Sequence, residues 1–147
     1  MRCFYRSSAL TLLMSFVVSS SVATADTALT KSGHTTDKLS VVKKRVNDGK
    51  ALLLDVREQS EWNAGHLESS HLLPLSVLRT GKLSAPQKKL LKKGKPIYCH
   101  CRSGGRVLAV AKILKAQGYD IRPLRAGYAD LVKAGFTKAK DQSSKAN

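Results

Sequence analysis

The chain is short of acids, aromatics and cysteines, and each shortage closes off a class of protein. Asp and Glu together number 10 in 147 residues against 26 Lys and Arg, giving a formal net charge of +16. Phe, Tyr and Trp make up 5%, and none interleaves with the basic clusters Lys43-Lys44-Arg45, Lys88-Lys89 and Lys92-Lys93. Single-stranded nucleic acids are held by basic grooves that also offer aromatic platforms, so no nucleic-acid partner is expected. The scattered lysines read as a solvated basic surface that attracts small anions. The longest apolar run falls short of the roughly 20 residues that a membrane helix needs. No internal repeat is present.

The apolar run sits near the start. Arg2 and Arg6 precede it, Ala9 to Val18 form it, and a small-residue stretch ending Val22-Ala23-Thr24-Ala25 follows. Basic, then apolar, then A-x-A is the order of a secretory signal peptide. Residues 1–25 are therefore expected to be removed, with a periplasmic or secreted product that keeps no stable membrane span. The remaining chain has 24 basic and 10 acidic side chains, a net charge of +14, and two cysteines, Cys99 and Cys101. Exported proteins commonly use cysteines as long-range staples. Two separated by a single residue cannot do that, which points to chemistry at sulfur.

The expected organisation is a linker over 26–35, one domain over 36–136 and a disordered tail over 137–147. A helix is expected from Thr36, capped by Thr35 or Thr36 and stopped at Asn47-Asp48-Gly49. Ala51 to Asp55 is an unbroken apolar run suited to a strand buried on both faces. A short helix over Glu58–Asn63 is expected to turn Trp62 inward. His71–Pro74, Lys95–His100 and Asp120–Leu124 are the other strand candidates. Ser84-Ala85-Pro86-Gln87 resembles a capping box. Val107, Val110, Ala111 and Leu114 fall at helical spacing, and Tyr128, Leu131 and Val132 suggest a last short helix. Alternating strands and helices imply an α/β fold around a mostly parallel sheet.

The chemistry concentrates in Cys101-Arg102-Ser103-Gly104-Gly105-Arg106, between a strand and a helix. Open α/β sheets bind ligands at the carboxyl ends of their strands. The two glycines let the backbone curl so that successive N–H groups converge. The helix start and the charges of Arg102 and Arg106 then favour a thiolate at Cys101. A ring of amides also suits a cysteine that carries a second, anionic sulfur, without a metal.

This loop resembles the active-site loop of the rhodanese family. Asp55-Val56-Arg57 resembles the family's D-x-R signature, and Gly65-His66-Leu67 its G-H-I signature. Gly118-Tyr119 and Ala126-Gly127-Tyr128 resemble later signals. The resemblance implies a three-layer sandwich with helices flanking the central sheet, and a sulfurtransferase of the periplasmic single-domain kind. Cys101 would take sulfur from an anionic donor such as thiosulfate and pass it, as a persulfide, to a thiol or cyanide. Arg102, Ser103, Gly104, Gly105 and Arg106 would bind the donor, while Asp55, Arg57 and His66 would support the loop. No cofactor and no metal are implied. Val107 replaces a frequent serine, Ala126 a frequent glycine, Leu131 a frequent tryptophan, and Ser69-Ser70-His71 a proline-glycine-alanine run.

Three other readings compete. A cysteine-dependent phosphatase or arsenate reductase also uses a cysteine in an anion loop, but the phosphatase signature has five residues between cysteine and arginine where this chain has four. A redox or metal site from Cys99, His100 and Cys101 would need further ligands or a strained disulfide, so Cys99 is expected in the core. A catalytically silent binding module would not need Cys101.

Overall fold

The computed structural model describes residues 30–140. Four strands, β1 (Leu52–Asp55), β2 (Ser70–Leu72), β3 (Ile97–His100) and β4 (Ile121–Pro123), form one sheet in the order β2-β1-β3-β4. Every pairing is parallel. Six helices accompany them: α1 (Leu39–Asn47), α2 (Gln59–Asn63), α3 (Leu75–Thr80), α4 (Ala85–Leu90), α5 (Arg106–Lys115) and α6 (Tyr128–Lys133). Parallel neighbours need crossover segments; α3 and α5, which lie on two of them, cover one face of the sheet, and α1 and α6, before and after the strands, cover the other.

Strand alternation divides the core in two. Leu54, Ile97, Cys99, Cys101 and Ile121 face one side, where they pack with Leu75 and Leu78 of α3 and Val107, Val110 and Leu114 of α5. Leu53, Tyr98 and Leu124 face the other, against Val42 of α1, Leu131 of α6 and Phe136. The central strands are apolar on both faces because both faces are covered. Each fully buried Leu, Ile or Val contributes about 1.5–3 kcal/mol of transfer free energy, so two shallow cores can hold a thin sheet between them.

Local signals place the elements with some corrections. The Ser84 capping box forms, with the Gln87 N–H donating to Ser84 Oγ and the Ser84 N–H to Gln87 Oε1 at 2.9 Å. The first helix begins at Leu39 after Lys38, with no side-chain cap, rather than at a threonine. The Thr35 N–H instead donates to Pro123 O at 2.8 Å, which ties this segment to the sheet edge. Trp62 is not turned into the core. It is half-buried and stacks on His66 with ring centroids 3.8 Å apart. Helix α3 falls outside the expected elements: its six residues carry three apolar side chains, Leu75, Val77 and Leu78, of which only Leu75 and Leu78 are buried, too short a run for helical periodicity to declare itself.

Segments beside both ends of the expected domain make ordered contacts. His34 and Thr35 are buried, at the end of the stretch expected as a linker. Residues 137–139 are paired rather than disordered, with the Glu68 N–H donating to Thr137 O and the Ala139 N–H to His66 O, both at 2.9 Å. The expected signal peptide, residues 26–29 and the last seven residues lie outside the described residues.

Candidate active site

Strand β3 ends at His100, and Cys101 begins the turn into α5. Alternation puts Cys101 on the same side as Cys99 and sends His100 to the opposite face, beside Asp55. The three side chains therefore do not converge as a metal or redox site would require. Cys99 is wholly buried, and burial pushes its thiol up from the ordinary value. That leaves Cys101 as the sulfur at the loop.

Cys101 is deeper than an open strand mouth suggests, at 1% exposure. Its carbonyl accepts from the Tyr128 N–H at 2.9 Å, and the Gly105 carbonyl accepts from the Leu108 N–H at 3.2 Å. The Gly104 carbonyl is 2.9 Å from His34 Nε2. Among the described residues, none of the N–H groups from Arg102 to Val107 donates to another protein atom. Three of the loop's carbonyls, those of Cys101, Gly104 and Gly105, are thus engaged while its donors are unspent, which is the composition of a backbone nest. The start of α5 adds its positive end.

Two close approaches fix this curl. Gly104 adopts φ +81°, and a Cβ there would strike the Arg125 carbonyl. A Cβ on Gly127 would lie inside the radius of the Arg102 carbonyl oxygen. Gly127→Ala should therefore push the loop aside, costing about 1–3 kcal/mol by overpacking. Thermal melts check this; a melting temperature equal to wild type would show that the close approach does not shape the loop.

The arginines divide the work differently from the expectation. Arg106 is not a free cation. It clamps Glu61 with two hydrogen bonds, from Nη1 at 2.5 Å and Nη2 at 2.8 Å. Glu61 raises the Arg106 guanidinium further above its ordinary value, and Arg106 also interacts with the Cys101 sulfur. It is a fixed charge beside the sulfur, aligned by a carboxylate. Arg102 is exposed and Arg125 is exposed, and neither makes an ion pair among the described residues. They, rather than Arg106, are available to an incoming anion. A cleft of about 360 Å³ adjoins the loop, lined by Arg57, Glu61, Gly65, Arg102 and Tyr128 among others.

Asp55 and Arg57 form the buried brace. Arg57 Nε lies 3.0 and 2.9 Å from the two Asp55 oxygens, and Nη2 donates to Asp55 Oδ2 at 2.6 Å and to Gly65 O at 2.8 Å. The guanidinium also sits 4.3 Å above the Tyr128 ring. One side chain thereby joins the ends of β1, the Gly65 turn and α6. His66 Nδ1 is 3.2 Å from Trp62 O, a supporting contact remote from the sulfur. Val107 and Leu131 fill the two cores, and Ser103 is exposed on the loop.

Sequence reasoning gives Glu61 no role, because it lies 45 positions before the arginine that it pairs with. Hydrogen bonds from Arg106 hold its carboxyl at about 2, below the ordinary 4.5. The folded value is the lower one, so the pair's stabilisation is complete above pH 4.5 and fades as pH falls toward 2. The pair is half-exposed, so the effect is on the order of 1 kcal/mol. Glu61→Gln should lower the melting temperature at pH 7, and its gap from wild type should narrow between pH 4.5 and 3. A gap that does not change with pH would rule out the ion pair as its cause.

A parallel sheet with a buried cysteine in a donor-rich turn at its carboxyl edge defines an α/β domain centred on that cysteine. Residues 38–134 match the family described as Rhodanese-like domain, and the chain belongs to that family. It is 32% identical over 80 residues to the uncharacterized protein YqhL of Bacillus subtilis (strain 168), covering 54% of this chain and 59% of that one. It is 33% identical over 84 residues to a Schizosaccharomyces pombe protein provisionally named a mitochondrial thiosulfate sulfurtransferase, covering 52% and 59%. The chain thus spans 59% of the length of these curated relatives. The rhodanese-like domain of the Anabaena sp. Alr3790 protein shares the fold, with TM-score 0.58 at 21% identity over 76% of this chain and 83% of that one.

Proposed function

We propose that the chain is a sulfurtransferase that carries sulfane sulfur as a persulfide on Cys101. Membership of the rhodanese-like family and likeness to a protein named as a thiosulfate sulfurtransferase support a function of this class. The observation that carries the reading is the run of unspent backbone donors from Arg102 to Val107 beside a buried cysteine.

The thiolate of Cys101 attacks the outer sulfur of thiosulfate. The new S–S bond forms as the bond to the SO₃ group breaks, and sulfite leaves with the electron pair. The persulfide anion then gives its outer sulfur to cyanide or a thiolate, which regenerates the Cys101 thiolate. Splitting the transfer in two is the gain of a covalent intermediate. Loop amides and the Arg106 charge stabilise the anionic sulfur, and Arg102 and Arg125 draw the donor in. The depth of Cys101 favours a donor that presents a single terminal sulfur over a tetrahedral phosphate ester.

Thiosulfate with cyanide should yield thiocyanate, an aryl phosphate should yield no phosphate, and thiosulfate alone should add roughly 32 Da, one sulfur, to the protein. Phosphate release without thiocyanate would replace this reading by the phosphatase one. We further place the protein in the periplasm or outside the cell, as a single-domain member of the phage shock protein E type. The mass of the protein recovered from cell fractions tests this: a chain beginning at Asp26 in the exported fraction supports it, and a full-length cytoplasmic chain opposes it.

A further inference from the structure

His34 lies outside every motif above, yet it is buried and its ring reaches the Cys101 loop. Nε2 is 2.9 Å from the Gly104 carbonyl oxygen. A carbonyl can only accept, so Nε2 carries a proton and donates. Nδ1 is 2.9 Å from Ser32 Oγ, which is 2.7 Å from Thr30 Oγ1. The backbone is pinned as well. The His34 N–H donates to Thr30 Oγ1 at 3.2 Å, and its carbonyl accepts from the Thr30 N–H at 2.8 Å. With Thr35 tied to Pro123, the imidazole is a fixed donor rather than a swinging surface group.

Its target is the peptide between Gly104 and Gly105, the one unit of the loop flanked by glycine on both sides. Rotating such a peptide meets no Cβ at either end. A flip would put the Gly104 carbonyl where the Gly105 N–H had been and present an oxygen to an anionic sulfur. In a planar trans peptide the C=O and N–H point opposite ways. Holding the carbonyl on His34 therefore turns the Gly105 N–H away from His34.

We propose that His34 is a positioning residue for sulfur transfer: it locks the Gly104–Gly105 peptide so that the Gly105 N–H donates to the outer sulfur on Cys101. The proposal rests on the persulfide reading above. The locked donor acts on charge that develops on the transferred sulfur, so its loss lowers kcat more than it raises KM.

The test compares the full chain with His34→Leu, which removes the donor, and His34→Gln, which restores an N–H near the Nε2 position. His34→Leu should lower kcat for thiocyanate formation on the order of 10²-fold, the usual loss for one anion-stabilising donor. KM for thiosulfate should change less than about threefold, with His34→Gln recovering most of kcat. Wild-type kcat in His34→Leu, or an equal loss in both variants, overturns the proposal. A measurement on the unaltered chain needs no variant: the Gly105 amide proton should move downfield when thiosulfate loads Cys101, and an unmoved resonance on a loaded protein overturns the proposal alone. A wild-type protein that never gains the mass of sulfur overturns the persulfide reading and this inference with it.

Discussion

Cys101→Ser should fold and carry no sulfur. The serine hydroxyl occupies nearly the same space as the thiol, and the adjoining loop N–H groups have no protein acceptor. Burying it should cost no more than about 1–3 kcal/mol. Activity should nonetheless fall at least about a thousandfold, because removing a nucleophile removes the covalent route entirely. Intact mass after thiosulfate should show the added sulfur on the wild type only. Cys99→Ser is the matched control on the same strand face. Cys99 is wholly buried and its thiol is pushed up, so it should neither accept the sulfur nor resolve the persulfide, and the persulfide lifetime should stay at the wild-type value. Sulfur retained on Cys101→Ser, or a longer lifetime in Cys99→Ser, would reassign the chemistry to Cys99.

The largest loss of stability should come from Asp55→Asn. The Arg57 side chain is 6% exposed and Asp55 is 0% exposed. Neutralising the acid leaves a guanidinium buried without a counter-charge, at a cost of about 3–5 kcal/mol. That is a large part of the 5–15 kcal/mol by which a domain of this kind is stable. The damage should extend beyond β1, since Arg57 also holds Gly65 O and lies over Tyr128. Replacing both partners together, as in Asp55→Asn with Arg57→Met, should cost less than the sum of the single changes because neither charge is stranded. Urea unfolding measures all three proteins. A loss below about 1 kcal/mol for Asp55→Asn would place the pair with ordinary surface bridges.

Periodicity and punctuation made the strands legible. Leu52 to Leu54 and Ile97 to Cys99 carry no charged side chain because both faces of the central strands are buried. Helix α5 was legible from four apolar residues at helical spacing, and all four are buried. Short elements were not: α3 offers one turn and a half with three apolar residues to a periodic reading. Polar segments beside the expected domain were not legible either. Residues 30–35 are polar and read as linker, yet their hydrogen bonds close a turn and dock it on β4. Composition reports what a segment would bury by itself and is silent about what its polar groups find elsewhere.

The cysteine at the strand end, the glycine curl and the D-x-R pair were legible in local order along the chain, because a tight backbone turn tolerates few residue types. The partition of the arginines was not. Glu61 lies 45 positions before Arg106 and His34 lies 70 before Gly104, and no local rule connects such distances. Only the folding of parallel strands side by side brings them to one edge, where Glu61 takes Arg106 out of solvent competition and His34 takes hold of a peptide that the loop itself leaves free to turn.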